Sequence, residues 1–125
     1  MTNKTKKMAL SVLMAGVLML PTTNVYATTR QGDGQYDGIA YSYRTEITNA
    51  SGSMYFSYRS NNQVSVKATL YYKDTYGKNR TSSSSRTATG SASVSVSGNN
   101  IYETQSLTYQ GSVDGAYVVG GSIKK

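Results

Sequence analysis

Six carboxylates are the first residues to weigh as chemistry: Asp33, Asp37, Glu46, Asp74, Glu103 and Asp114. The 125 residues include no His and no Cys. That excludes a His-based triad, a Cys nucleophile, a Cys/His zinc site and disulfides. A glycosidase would need two carboxyl groups facing each other across a bond. Asp74 and Asp114 sit among turn residues, where Asp serves local geometry. Glu46 lies on a basic face and reads as a surface ion-pair partner. The run Asp33-Gly34-Gln35-Tyr36-Asp37-Gly38 spaces two Asp among glycines, as oxygen ligands for Ca²⁺ would be. It lacks the rest of an EF-hand loop and reads instead as a flexible entry turn. Ser and Thr are abundant, but there is no G-x-S-x-G elbow and no His to serve as base. The expectation is a non-enzymatic chain without metal or cofactor.

Binding chemistry is better represented. Seven basic residues fall between Arg44 and Arg86. Alternation places Arg44, Tyr55, Arg59, Lys67, Tyr71 and Lys73 on the outward side of three successive strands, with Lys78, Arg80 and Arg86 in an adjoining loop. Cations interleaved with Tyr on one sheet face suit phosphates, teichoic acid or acidic sugars. The same residues would serve equally as a solvated face with Lys protecting the sheet edge.

The elements that must position these residues begin after residue 27. Lys4, Lys6 and Lys7 precede an apolar run, residues 8–20, interrupted only by Ser11. Pro21 and then Val25-Tyr26-Ala27 follow. This is the charged, apolar and small-residue sequence of a secretory signal peptide cleaved after Ala27. A membrane span needs about 20 apolar residues, and this run has 13. The expected product is secreted and extracellular, with no transmembrane anchor after cleavage. Residues 28–125 keep ten basic and six acidic side chains, net +4, with eleven Tyr and only two Leu. Tyr must therefore fill much of the core, with each hydroxyl at a wet edge or on a partner. A net charge this modest, on an exported chain, argues against a nucleic-acid partner.

No window carries helical periodicity, whereas period-two alternation is everywhere. Residues 28–37 read as a loose N-terminal arm, and residues 38–125 as one domain. Strands are expected at 38–48, 53–59, 63–73, 87–97, 102–113 and 116–123. A four-residue loop, 49–52, pairs Ile47 with Met54. A three-residue loop, 60–62, pairs Tyr58 with Val64 and puts Asn61 or Asn62 in the left-handed region. Residues 74–79 form a turn, and 80–86, with Ser82–Ser85, an exposed loop or frayed strand end. Asp114-Gly115 is the strongest hairpin signal. It pairs Val113 with Ala116 and Leu107 with Ser122, lays Tyr109 over Gly120, and turns Tyr117, Val119 and Ile123 away from the core. The fold class expected is all-β, a small antiparallel β-sandwich or barrel of six to seven strands.

From Lys67 onward the chain resembles the lactococcin 972 family of small secreted bacteriocins. The matching residues are Gly98, Asn100, Ile101, Glu103, Ser106, Leu107 and Tyr109, in the order G-x-N-I-x-E-x-x-S-L-x-Y. Ala68-Thr69, the turn with Gly77 and the Ala/Gly-containing strand at 88–96 precede them in the family's general order. The resemblance implies a signal peptide, a basic Cys-free mature chain, a β-sandwich-like fold and an envelope target such as the cell-wall precursor lipid II. Two functions follow as expectations. One is a bacteriocin-like protein binding a cell-wall or cell-surface component of Gram-positive bacteria through the basic Tyr face. The other is a self-assembling, homo-oligomeric matrix or adhesive protein, built on Ser/Thr/Tyr strands with few charges after Thr87.

Overall fold

A computed structural model describes residues 27–125. The signal-peptide expectation, residues 1–27, lies outside the described residues except for Ala27, which opens β1 opposite Thr48. Eight strands follow in chain order: β1 (Ala27–Tyr36), β2 (Ile39–Thr48), β3 (Ser51–Tyr58), β4 (Gln63–Asp74), β5 (Asn79–Thr89), β6 (Ser91–Ser97), β7 (Ile101–Val113) and β8 (Ala116–Lys124). They form two antiparallel four-stranded sheets, ordered β1-β2-β3-β6 and β5-β4-β7-β8. The all-β antiparallel class is as alternation predicts, and the chain builds it as two sheets with eight strands rather than six or seven. The core lies between the sheets. Ile47, Met54, Phe56 and Tyr58 from the first sheet meet Val64, Val66, Ala68, Leu70, Leu107 and Tyr109 from the second.

Several expectations are corrected. Residues 28–37 are not a loose arm. Nearly all of them belong to β1, paired with β2 from Ala27↔Thr48 to Tyr36↔Ile39. The turn that closes this hairpin is Asp37-Gly38, both at positive φ, 54° and 76°. The next loop has two residues rather than four. Thr48 Oγ1 accepts from the amides of Ala50 and Ser51 at 3.1 and 3.0 Å, which closes it early. Ile47 therefore pairs with Gly52 and Thr45 with Met54. A two-residue slip preserves parity, so the inward faces stand as predicted.

The expected β3–β4 hairpin does not exist. β3 pairs with β6, while β4 pairs with β5 and β7. The link at 60–62 instead carries the chain from one sheet to the other, and neither Asn61 nor Asn62 is left-handed. Among non-glycine residues that conformation belongs to Asp37, Asn100 and Asp114. The link is clamped from two sides. Gly90 N–H donates to Asn62 O at 2.9 Å, and Gln63 N–H to Asp114 Oδ1 at 3.2 Å.

The Ser82–Ser85 segment is neither loop nor frayed end but the middle of β5, in register with β4 from Gln63↔Thr89 to Lys73↔Asn79. Its hydroxyls replace the contacts that larger side chains would make: Ser83 with Thr69 at 2.9 Å, and Ser82 to Ser97 O at 2.8 Å. The strand expected at 87–97 is broken at Gly90, whose φ of 79° turns the chain from one sheet to the other.

The Asp114-Gly115 hairpin forms as expected, with φ of 49° and 85° and Val113 opposite Ala116. A β-bulge then inserts Val118, so that Gly111 pairs with Val119, Tyr109 with Gly121 and Leu107 with Ile123. One inserted residue exchanges the two faces beyond it. Ile123 is consequently buried and Val119 packs on the core, not away from it. Tyr109 lies over Gly121 instead of Gly120.

Candidate functional site

The outer face of the first sheet is an array of cross-strand rows, because β1, β2, β3 and β6 are all in register. Gln31, Arg44, Tyr55 and Ser93 form one row across all four strands. Thr29, Glu46, Ser53 and Ser95 form the next, and Asp33, Ser42, Ser57 and Ser91 the one beyond. Ser thus makes most of the floor, while Arg44 and the 45% exposed Tyr55 stand up from it. Direct cross-strand neighbours lie about 4.5–5.5 Å apart at Cβ, so Arg44 and Tyr55 rise side by side from the face.

Both line two adjoining shallow depressions. One, of about 440 Å³, is lined by Arg44, Glu46, Tyr55 and Arg86 over Ser53, Ser93 and Ser95. The other, of about 510 Å³, runs from Arg44 and Tyr55 over Ser42 to Gln31 and Asp33. Asp33 and Ser42 are shared with a third, of about 410 Å³, which ends at Arg59. The three make one continuous trough across the face. Among the described residues the ion pair formed is Asp74–Arg80. Arg44, Arg59 and Arg86 are exposed and engage no carboxylate among the described residues, so their guanidinium groups face an incoming anion without an ion-pair partner there.

The expected six-residue face is divided. Arg44, Tyr55 and Arg59 belong to the trough. Lys67, Tyr71 and Lys73 project from β4 on the outer face of the second sheet, opposite Gln110, Ser106 and Glu103. The two groups stand back to back across the core. Strands β3 and β4 face each other and are not side by side, so "outward" is a different direction for each. Lys67 lines a separate depression of about 300 Å³ with Arg86, Gln110 and Ser112, and Tyr71 stands beyond the hydroxyl pair Thr69–Ser83 at 2.9 Å.

Sequence reasoning left Arg86 in a loop and overlooked Gln31 and Asp33 as lining residues. Arg86 pairs with Val66 and so shares parity with the inward positions of β5. At an edge strand such a side chain swings past the neighbouring sheet to water. A lone charge in phase with the small residues Ser82, Ser84 and Ala88 was the signal available.

The carboxylates are dispersed. Asp74 is buried, and its Oδ1 accepts from the amides of Tyr76 and Lys78 while Oδ2 accepts from Arg80 Nε, each at 2.9 Å. The Lys78 amide, and next the Arg80 guanidinium, hold its carboxyl below the ordinary range against the opposing effect of burial. Asp114 accepts from Asn62 Nδ2 at 2.5 Å and from the Gln63 amide. Both serve loop geometry, as their positions in turns suggested. No protein-family model, curated protein or solved structure compared with the chain gave a match.

Proposed function

We propose that this is an exported, non-enzymatic binding protein that holds an anionic polymer of the bacterial envelope in the trough of its first sheet. The observation that carries the proposal is the set Arg44, Arg59 and Arg86, unpaired among the described residues and arranged with Tyr55 over a floor of Ser. Arg59 lies four residues beyond Tyr55 in the chain, or roughly 13 Å along the sheet. Cations at that spacing suit repeated charges along a chain better than one compact ion. Guanidinium groups bind phosphate and carboxylate through paired N–H donors. Tyr55 offers a ring to a sugar. The basic, apolar and small-residue pattern of residues 1–27 supports export, and a bacteriocin-like envelope target is the finer reading that the motif from Gly98 to Tyr109 supports.

The test is binding of the purified protein to isolated teichoic acid and to bacterial cell walls at two salt concentrations. Binding should weaken as salt rises. Arg44→Glu should weaken it about tenfold or more, since it reverses a charge at the centre of the trough. Lys73→Glu, on the opposite sheet facing Glu103 and away from all three depressions, should change it little. Equal loss from both variants, or salt-independent binding, would reject the trough. Self-assembly is the second reading: β1 and β8 each end a sheet, and β1 contains no Pro to block pairing. Concentration-dependent light scattering would favour it.

A further inference from the structure

The end of the sandwich remote from Asp114 carries a second polar depression, independent of the trough. It measures about 270 Å³ and is lined by Tyr72, Asp74, Tyr76, Arg80, Asn99 and Asn100. Two turns build it, β4–β5 and β6–β7, and they are locked together by Thr75 N–H donating to Asn100 O at 2.8 Å. Asn100 holds a φ of 54°, a conformation Asn tolerates better than most side chains. The Tyr72 ring lies against Gly98, where a side chain would collide with it.

The donors in this depression are arranged and unspent. Both Asp74 oxygens are engaged: Oδ1 accepts from the Tyr76 and Lys78 amides, and Oδ2 from the Arg80 Nε. Arg80 is 53% exposed at its side chain and anchored through Nε alone. Its Nη edge has no partner among the described residues. The side-chain amides of Asn99 and Asn100 likewise make no hydrogen bond there. Tyr76 presents a ring that is 77% exposed. Arg80 is the one cation lining the depression and Asp74 the one anion. Such a balance suits a monoanion more than a phosphate dianion, which would call for a second cation. Drug-sized ligands occupy roughly 300–1,000 Å³, so the smaller volume here matches a single ring.

We propose that this depression binds one carboxylate-bearing sugar residue. The carboxylate takes the Nη edge of Arg80, the ring hydroxyls take the Asn99 and Asn100 amides, and the C–H face of the sugar lies on Tyr76. Asp74 is a positioning residue that fixes the guanidinium before the ligand arrives, which reduces the ordering cost of binding.

The test is an NMR titration of the ¹⁵N-labelled protein with sodium glucuronate, glucose and sodium phosphate in turn. Glucuronate should give saturable shifts at the Tyr76, Asn99 and Asn100 amides, and neither glucose nor phosphate should match it. Asn100→Asp, which sets a like charge against the carboxylate, should weaken binding about tenfold. Tyr76→Ala removes an exposed ring and cannot be mistaken for a folding defect; it should weaken binding a few-fold. Arg44→Glu should leave these shifts unchanged, which separates this site from the trough. Equal shifts with glucose or with phosphate, no saturation with glucuronate, or wild-type affinity in both Asn100→Asp and Tyr76→Ala would overturn the proposal.

Discussion

Alanine at position 52 tests whether glycine sets the spacing between the sheets. Gly52 lies on β3 and is buried; Leu107, on β7 of the opposite sheet, is 0% exposed. A Cβ on Gly52 would fall 2.5 Å from Leu107 Cδ1 and 3.2 and 3.3 Å from Cδ2 and Cγ. Carbon atoms prefer about 3.5–4.0 Å, so roughly 1 Å of relief must come from the Leu107 rotamer or from the sheets moving apart. Overpacking of this kind costs about 1–3 kcal/mol. Against it stands a gain of about 0.5–1 kcal/mol for Ala over Gly within a strand. The net expectation for Gly52→Ala is a loss of about 1–2 kcal/mol. In a domain near 100 residues that lowers Tm by roughly 5–12 °C. Leu107→Ala alone should cost about 2–5 kcal/mol by leaving a cavity. In the double variant the new methyl group enters the space that Leu107 vacates, so the two losses should fall short of additive by about 1 kcal/mol or more. Chemical denaturation followed by far-ultraviolet circular dichroism measures all four corners, since the chain has no Trp to report by fluorescence. Losses that add to within about 0.5 kcal/mol would refute the reasoning.

Thr45 is fully buried, and its Oγ1 is the one buried side-chain polar atom without a partner among the described residues. Thr45→Val should therefore stabilise the fold by about 1 kcal/mol in the same denaturation assay. Asp74 has its carboxyl held down by the Lys78 amide and then by Arg80, so its contribution is complete above the unfolded value near 3.9. It is lost as pH falls below about 4, through the lower folded value. Asp74→Asn should flatten that acid limb in a series of melts from pH 2 to 7. Tyr43 is shifted the other way, first by burial and then by Tyr109, with which it stacks at 5.8 Å. Its contribution is present below about pH 10 and lost as pH rises through the raised folded value. Ultraviolet absorbance should show Tyr43→Phe removing a late-ionising phenol and moving alkaline unfolding to higher pH.

The period-two pattern made the inward positions legible almost throughout. Val64, Val66, Ala68 and Leu70 could be assigned to the core because alternation alone decides the face, whichever strand lies alongside. Pairing partners were less legible, because two strands that meet across a core carry the same pattern as two strands joined in a hairpin. That is how Tyr58 and Val64, inward from opposite sheets, came to be paired. The Val118 bulge was hidden for a related reason. Tyr117, Val118 and Val119 offer apolar side chains to either face, so hydrophobicity could not choose the register. The Gly–Tyr contacts settle it, since Gly121 admits the Tyr109 ring and Gly120 the hydroxyl of Tyr117.

The same limit governed the site. Arg44 and Tyr55 were found because outward parity needs only the strand itself, and their direct pairing across β2 and β3 followed from neighbouring strands. Lys67, Tyr71 and Lys73 were joined to them by a hairpin that the chain does not make. Arg86 was missed because it stands at an inward position on an edge strand, and only the corner at Gly90 brings β5 beside β6, where that side chain reaches the trough. Binding faces on a sandwich are thus assembled by which sheet each strand enters. In this chain Gly90 makes that decision for Arg86, and the link at 60–62 makes it for Lys67. A substitution at Gly90, held at φ 79° with its Cβ direction 3.3 Å from Ser60 O, should disturb binding through Arg86 even though Gly90 lines no part of the trough.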